Sequence, residues 1–283
     1  MKKIYKWLSL LLIAVVGLSL SGCESVTQRA NTENTWNKIQ RKKEVVVGLD
    51  DSFVPFGFET KAGKITGYDI DLARAVFKQY GIKVSFQPID WSMNVTELRN
   101  GTIDLIWNGL TVTPERAKMI AFSKPYLYND QELVSLKKSN IRNFNDMQGK
   151  ELGTQTGSSE IISLDKQPKL LKDKIKNHQP VLYDSFTDAF IDLNAQRVSG
   201  LLIDSTYANY YIKHESTPNK YSTYVGAFPK SKLAVGVRKG DTTLRNKIND
   251  ALVKMAKNGQ LKKITKKWFG NQYDSPLLKK YDK

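Results

Sequence analysis

The chain has 283 residues, 40% hydrophobic and 25% charged, which is enough apolar surface for a buried core and excludes a disordered polyelectrolyte. Lysine and arginine exceed aspartate and glutamate by 16 and are spread along the whole length, a balance that suits nucleic acid, anionic lipid or an anionic wall polymer. One cysteine and two histidines, His178 and His214, leave no disulfide pair and too few ligands for a thiolate or histidine metal centre, so neither a metal nor another cofactor is expected.

In chain order, Met1 to Lys6 is basic and Trp7 to Leu20 is almost unbroken apolar sequence, closing on Leu20-Ser-Gly-Cys23. The run has the length of a signal-peptide core and falls short of the roughly 20 residues of a spanning helix. Its end resembles the lipobox of bacterial lipoproteins, in which the cysteine becomes the lipidated amino terminus; the resemblance implies a signal peptide over residues 1–22 and diacylglycerol and palmitate at Cys23. Cleavage there removes three lysines and no acid, leaving a mature charge of +13. An exported chain tethered outside the membrane meets no nucleic acid, so the charge reads as a solvated surface facing lipid or wall.

Residues 23–43 are polar and read as anchor and tether, with a short docked helix around Trp36 and Ile39. The β-branched run Val45 to Leu49 predicts a buried strand, Leu72, Ala73, Val76, Phe77 and Tyr80 a helix stopped at Gly81, Val84 to Pro88 a strand, and Ile103 to Trp107 another. The pattern restarts after residue 140 with strands at 150–154, 181–183 and 200–203, the last two leading into helices that open on Asp184-Ser185 and Asp204-Ser205 as N-terminal caps. Leu233 to Val237 returns as a strand, followed by a long helix through Leu244, Ile248, Leu252 and Met255. A final basic helix over Lys257 to Gly270 packs Leu261, Ile264, Trp268 and Phe269 inward. Alternating strands and helices in two runs without repeated sequence predict two α/β halves, and ligands of such sheets sit at the carboxyl ends of strands.

Each loop at such an end is polar: Asp50 to Phe53, Trp91, Asn108 to Arg116, Gln155 to Ser159 and Asp204. Together they hold what an α-amino acid requires. Arg116, in the first turn of a helix, offers a planar cation for a carboxylate, while Thr111 and Ser158 offer hydroxyls and N–H groups beside helix starts. Asp204 and the carbonyl of Asn108 or Gly109 accept from an ammonium, and Phe53 and Trp91 can sandwich a side chain.

Asp50-Asp-Ser-Phe-Val-Pro-Phe56, Gly67-Tyr-Asp-Ile-Asp71, Asn108-Gly-Leu-Thr-Val-Thr-Pro-Glu-Arg116, Phe122-Ser-Lys-Pro-Tyr126, Gln155-Thr-Gly-Ser-Ser159 and Lys267-Trp-Phe-Gly270 resemble, in order and over nearly all of residues 44–273, the polar amino-acid-binding family of ABC-importer substrate-binding proteins. The resemblance implies a two-lobed periplasmic-binding-protein-like fold of type II, with lobe 1 at 44–126 and 232–283, lobe 2 at 131–226, and hinge strands at 127–130 and 227–231. It implies a monomeric, lipid-anchored, non-enzymatic receptor on the outer face of the cell membrane that passes a free amino acid to an ABC permease. It places the carboxylate-binding arginine on Arg116, the threonine on Thr111, the second-lobe hydroxyl on Ser158, the ammonium-binding aspartate on Asp204, and the aromatic walls on Phe53 and Trp91.

Three departures fall around the side-chain pocket: Gln155 where some relatives carry a charge, Ile203 where some are polar, and Asn108 where a small residue is common. The identity of the amino acid stays open, with Asp50 either pairing with a basic side chain or accepting from an amide. Two other readings of the same fold are an enzyme of the dehydratase or lyase type, which requires a positioned acid or base, and a basic surface adhesin.

Overall fold

A computed structural model of the chain describes residues 25–281. The segment read as a signal peptide, residues 1–22, and Cys23 lie outside the described residues. In chain order the strands are β1 (Glu44–Leu49), β2 (Ser52–Phe53), β3 (Gly57–Glu59), β4 (Ile65–Thr66), β5 (Lys83–Pro88), β6 (Leu105–Ile106), β7 (Ala121–Phe122), β8 (Leu127–Asn129), β9 (Gln131–Leu136), β10 (Leu152–Gln155), β11 (Val181–Tyr183), β12 (Gly200–Asp204), β13 (Tyr221–Val225), β14 (Ser231–Leu233) and β15 (Gly236–Val237). Ten of them form two five-stranded sheets, β5-β1-β6-β15-β7 and β11-β10-β12-β9-β13, one in each α/β lobe, and β2-β3-β4 form a small separate sheet.

In the first sheet β1 runs parallel to β5 and β6, because helices Tyr68–Lys78 and Asn94–Asn100 carry the chain back between strands. In the second, β10 runs parallel to β11 and β12, while β9 lies antiparallel between β12 and β13. The chain passes between the lobes through β8 and returns through β14. These two pair antiparallel, Leu127 with Leu233 and Asn129 with Ser231, so one two-stranded ribbon links the sheets.

Differences from the sequence expectations have local causes. The strand expected over 103–107 is confined to Leu105–Ile106, because Asp104 turns its carboxylate onto Val46 N and Arg238. The strand expected over 233–237 divides into β14 and β15, since Leu233 closes the ribbon and Gly236 joins the first sheet. Ser185 caps its helix through Asp188 N, whereas Asp204 occupies the cap position of Ser205–His214 without a capping bond.

The tether is folded from Ser25 on. The helix expected around Trp36 is present as Trp36–Lys42, with Trp36 edge-on to Tyr80 at 5.3 Å, and a second helix, Val26–Thr32, precedes it. Both are held by buried polar contacts that no periodicity reveals. Thr35 donates through N and Oγ1 to Asp241 Oδ1 at 2.6 and 2.7 Å, and Arg238 binds Asp241 Oδ2 at 2.8 Å and Asp104 Oδ1 at 3.1 Å. The basic carboxyl-terminal helix Gln260–Phe269 packs inward as expected, Phe269 meeting Tyr68 at 4.8 Å and Trp268 Nε1 donating to Asp71.

Candidate functional site

The segment after β6 is built to aim one arginine. Gly109 adopts φ +60°, and a Cβ there would lie 2.7 Å from the Phe53 ring, so glycine meets two constraints at once. The Gly109 N–H donates to Asp69 Oδ2 at 2.7 Å, and Tyr126 Oη donates to the same oxygen at 2.8 Å. Burial pushes the Asp69 carboxyl up to about 7 against the pull of those donors. Thr113 then caps the helix Pro114–Met119 by accepting from Arg116 N, with Pro114 in the first turn.

Arg116 thereby starts from a fixed backbone and runs into the gap between the lobes, where it is 5% exposed. Its Nη1 donates to Thr111 O at 2.9 Å and its Nη2 to Gly157 O of the second lobe at 2.9 Å. Burial lowers its pKa to about 10, and Glu160 and Asp204 pull the other way.

Opposite, β10 ends in the loop Thr156-Gly157-Ser158. A Cβ on Gly157, at φ +72°, would lie 2.7 Å from Ser92 Cα, so the two lobes touch through backbone here. Ser158 precedes the helix Ser159–Lys166, its Oγ buried. Glu160 sits in the first turn with Oε2 accepting from Ser159 Oγ at 3.3 Å and the Ser158 hydroxyl meeting its carboxyl. Asp204 closes β12 and accepts from Asn129 Nδ2 rather than from its own helix. Burial raises the carboxyls of both Asp204 and Glu160, and Arg116 lowers both.

These groups surround a narrow cavity, with about 260 Å³ of space between their atoms, part of it continuous with solvent. Of the expected site residues, Phe53, Trp91, Gly109, Thr111 and Arg116 line it from the first lobe, and Gln155, Ser158 and Asp204 from the second. Asp50 and Asn108 do not. Asp50 is engaged by Ser52 and Gln155, and Asn108 is turned into the protein, accepting from Asp50 N and donating to Gly57 O.

Sequence reasoning missed Ser159, Glu160 and Phe186, which also line the cavity. Phe186 carried a readable signal, since it follows the Ser185 cap just beyond β11, a strand end like the others. In the closed arrangement Phe53 meets Phe186 at 6.1 Å and Tyr207 at 5.2 Å, so aromatic contacts cross the cleft.

The geometry can be set beside known proteins. A structure of an ABC uptake transporter substrate-binding protein from Streptococcus pneumoniae with bound histidine matches with a TM-score of 0.83 and 46% sequence identity, covering 84% of this chain and 97% of that one. The L-cystine-binding protein TcyJ of Escherichia coli (strain K12) is 29% identical over 262 residues, 92% of this chain and 94% of its own. The arginine-binding extracellular protein ArtP of Bacillus subtilis (strain 168) is 29% identical over 266 residues, 93% of this chain and 98% of its own. The family model of bacterial extracellular solute-binding proteins, family 3, matches residues 45–271, and this chain belongs to that family.

Proposed function

We propose that the chain captures a free amino acid between its two lobes outside the cytoplasm and delivers it to an ABC importer. The observation that carries this reading is the opposition of charges in one narrow cavity: a buried guanidinium, Arg116, across from two buried carboxyls, Asp204 and Glu160. A zwitterion brings the complement of both. Its carboxylate pairs with Arg116 and its ammonium faces the acids, while Thr111 and Ser158 supply hydroxyls and Phe53, Trp91 and Phe186 flank the side chain.

The named relatives hold histidine, cystine or arginine, so family alone leaves the cargo open. All three are binding proteins, in keeping with a role without catalysis, and neither histidine of this chain lines the cavity. Lipid attachment at Cys23, a monomeric state and docking on a permease belong to the same proposal. Among the described residues no helix is long and apolar enough to cross a membrane.

A thermal-shift screen of residues 25–283 against the proteinogenic amino acids and cystine tests the proposal. A cargo at 100 times its dissociation constant stabilises by about 2.7 kcal/mol. A screen in which no amino acid shifts the transition at millimolar concentration overturns it.

A further inference from the structure

Glu160 stands with Asp204 in the cavity as a second acid, one more than a single ammonium requires. It is 1% exposed, and its carboxyl is met by Ser159 Oγ at 3.3 Å on Oε2, by the Ser158 hydroxyl and by a backbone N–H. The charged groups that face it are Arg116, from the helix Pro114–Met119 of the other lobe, and Asp204, from the end of β12, with which it interacts directly.

A zwitterion adds no net charge, so the surplus anion of the pair persists when the lobes close on it and exclude water. Arg116 and the ammonium supply two positive charges; Asp204, Glu160 and the ligand carboxylate supply three negative ones. One uncompensated anion in a water-poor cavity is costly, and the economical remedy is a proton. Asn129 Nδ2 donates to Asp204, and the Ser158 and Ser159 hydroxyls and a backbone N–H stabilise the Glu160 carboxylate, so the proton belongs to the pair rather than to one member.

We propose that binding a zwitterionic amino acid is coupled to the uptake of one proton by the Glu160–Asp204 pair, which shares it, so that the site loads a ligand and a proton together. This rests on the amino-acid reading above. When the lobes part, Arg116 leaves with the first lobe and water reaches Glu160, which then ionises as an ordinary carboxyl. When they close on a ligand, the ligand carboxylate takes over Arg116, Glu160 loses its cation, and a proton from solvent replaces it. The shared proton bridges the two carboxyls, and their remaining charge meets the ammonium. Burial, which raises both carboxyls, acts in the same direction.

The test is calorimetric titration of the wild type and Glu160→Gln with L-glutamine, L-cystine and L-histidine in turn, in phosphate and in Tris at several values between pH 6 and 8. Buffers with different ionisation enthalpies report protons taken up per ligand. The wild type is expected to take up more protons than Glu160→Gln, approaching one, and its affinity to fall toward about tenfold per pH unit as the pH rises, while the variant stays flat. A wild type that binds with no proton uptake at any of these pH values overturns the proposal whether or not the variant folds. So does equal uptake in the two proteins, while leaving amino-acid capture standing. Heat from none of the three ligands overturns the coupling for these cargoes, while the thermal-shift panel decides amino-acid capture itself.

Discussion

Asp50 and Gln155 meet across the cleft, Asp50 Oδ2 accepting from Gln155 Nε2 at 2.6 Å, and the other carboxylate oxygen of Asp50 is taken by Ser52 N and Oγ at 2.8 and 2.6 Å. The aspartate that the sequence leaves open to a ligand side chain is fully engaged by the protein, and it engages it from lobe to lobe. Its contribution is therefore to the closed state. A hydrogen bond to a buried carboxylate contributes about 1.5 to 3 kcal/mol. Asp50→Ala is expected to weaken every amino acid by the same factor, roughly 10- to 100-fold, leaving their ranking unchanged. Calorimetry on a panel of amino acids checks this, and a reordered ranking would show that Asp50 touches the cargo.

Asp69 gives a dependence of stability on pH. Its carboxyl stands at about 7 in the folded chain, against 3.8 for the ordinary group, because burial outweighs its donors Gly109 N and Tyr126 Oη. Between these two values the folded state holds a proton that the unfolded state has released. The contribution of this group is therefore complete below about pH 4 and is lost as the pH rises to about 7. Asp69→Asn retains an acceptor for Gly109 and removes the titration. Urea midpoints at pH 5 and 8 are expected to differ less in the variant than in the wild type. An unchanged difference would mean that Asp69 does not titrate in this range.

What the sequence could and could not reveal follows from the range of the interactions. Arg116, Thr111 and Asp204 were readable because each stands at a strand end, a position fixed by local alternation of strand and helix. Glu160 was not, since a glutamate in the first turn of a helix is ordinary wherever that helix is solvated. Only the arrival of Arg116 from the other lobe, 44 residues earlier, makes it a buried acid. The same limit applies to Asp69 and Asp71, two acids in one motif. One is buried against Gly109 and Tyr126, and the other bridges Lys267 and Trp268 on the surface. The docking of residues 25–42 depends on Arg238 and Asp241, some two hundred positions away, and leaves no periodic trace.

The amino-terminal reading is tested apart from the site. Cys23→Ser is expected to abolish incorporation of a labelled fatty acid into the protein and to leave its amino-acid affinity as it was, since no cavity-lining residue lies before Phe53. Label persisting on the variant would sink the lipid anchor without touching the proposed site.

Arg116→Ala addresses the site itself. The guanidinium is the cation that lines the cavity, and removing one side of a desolvated charge pair costs about 2 to 5 kcal/mol, a loss of at least about 30-fold in affinity. The carboxylate is common to all amino acids, so the loss is expected for each one that binds. Part of it would be structural, because Arg116 also bonds Thr111 O and bridges the lobes to Gly157 O. A cargo analogue with its carboxylate converted to an amide separates the two parts. If the guanidinium holds the carboxylate, this analogue binds the wild type weakly and loses far less than the parent amino acid on Arg116→Ala, since the interaction is already absent from one side of the cycle. Equal losses for amino acid and amide would leave Arg116 as a clasp between the lobes and move the carboxylate elsewhere in the cavity.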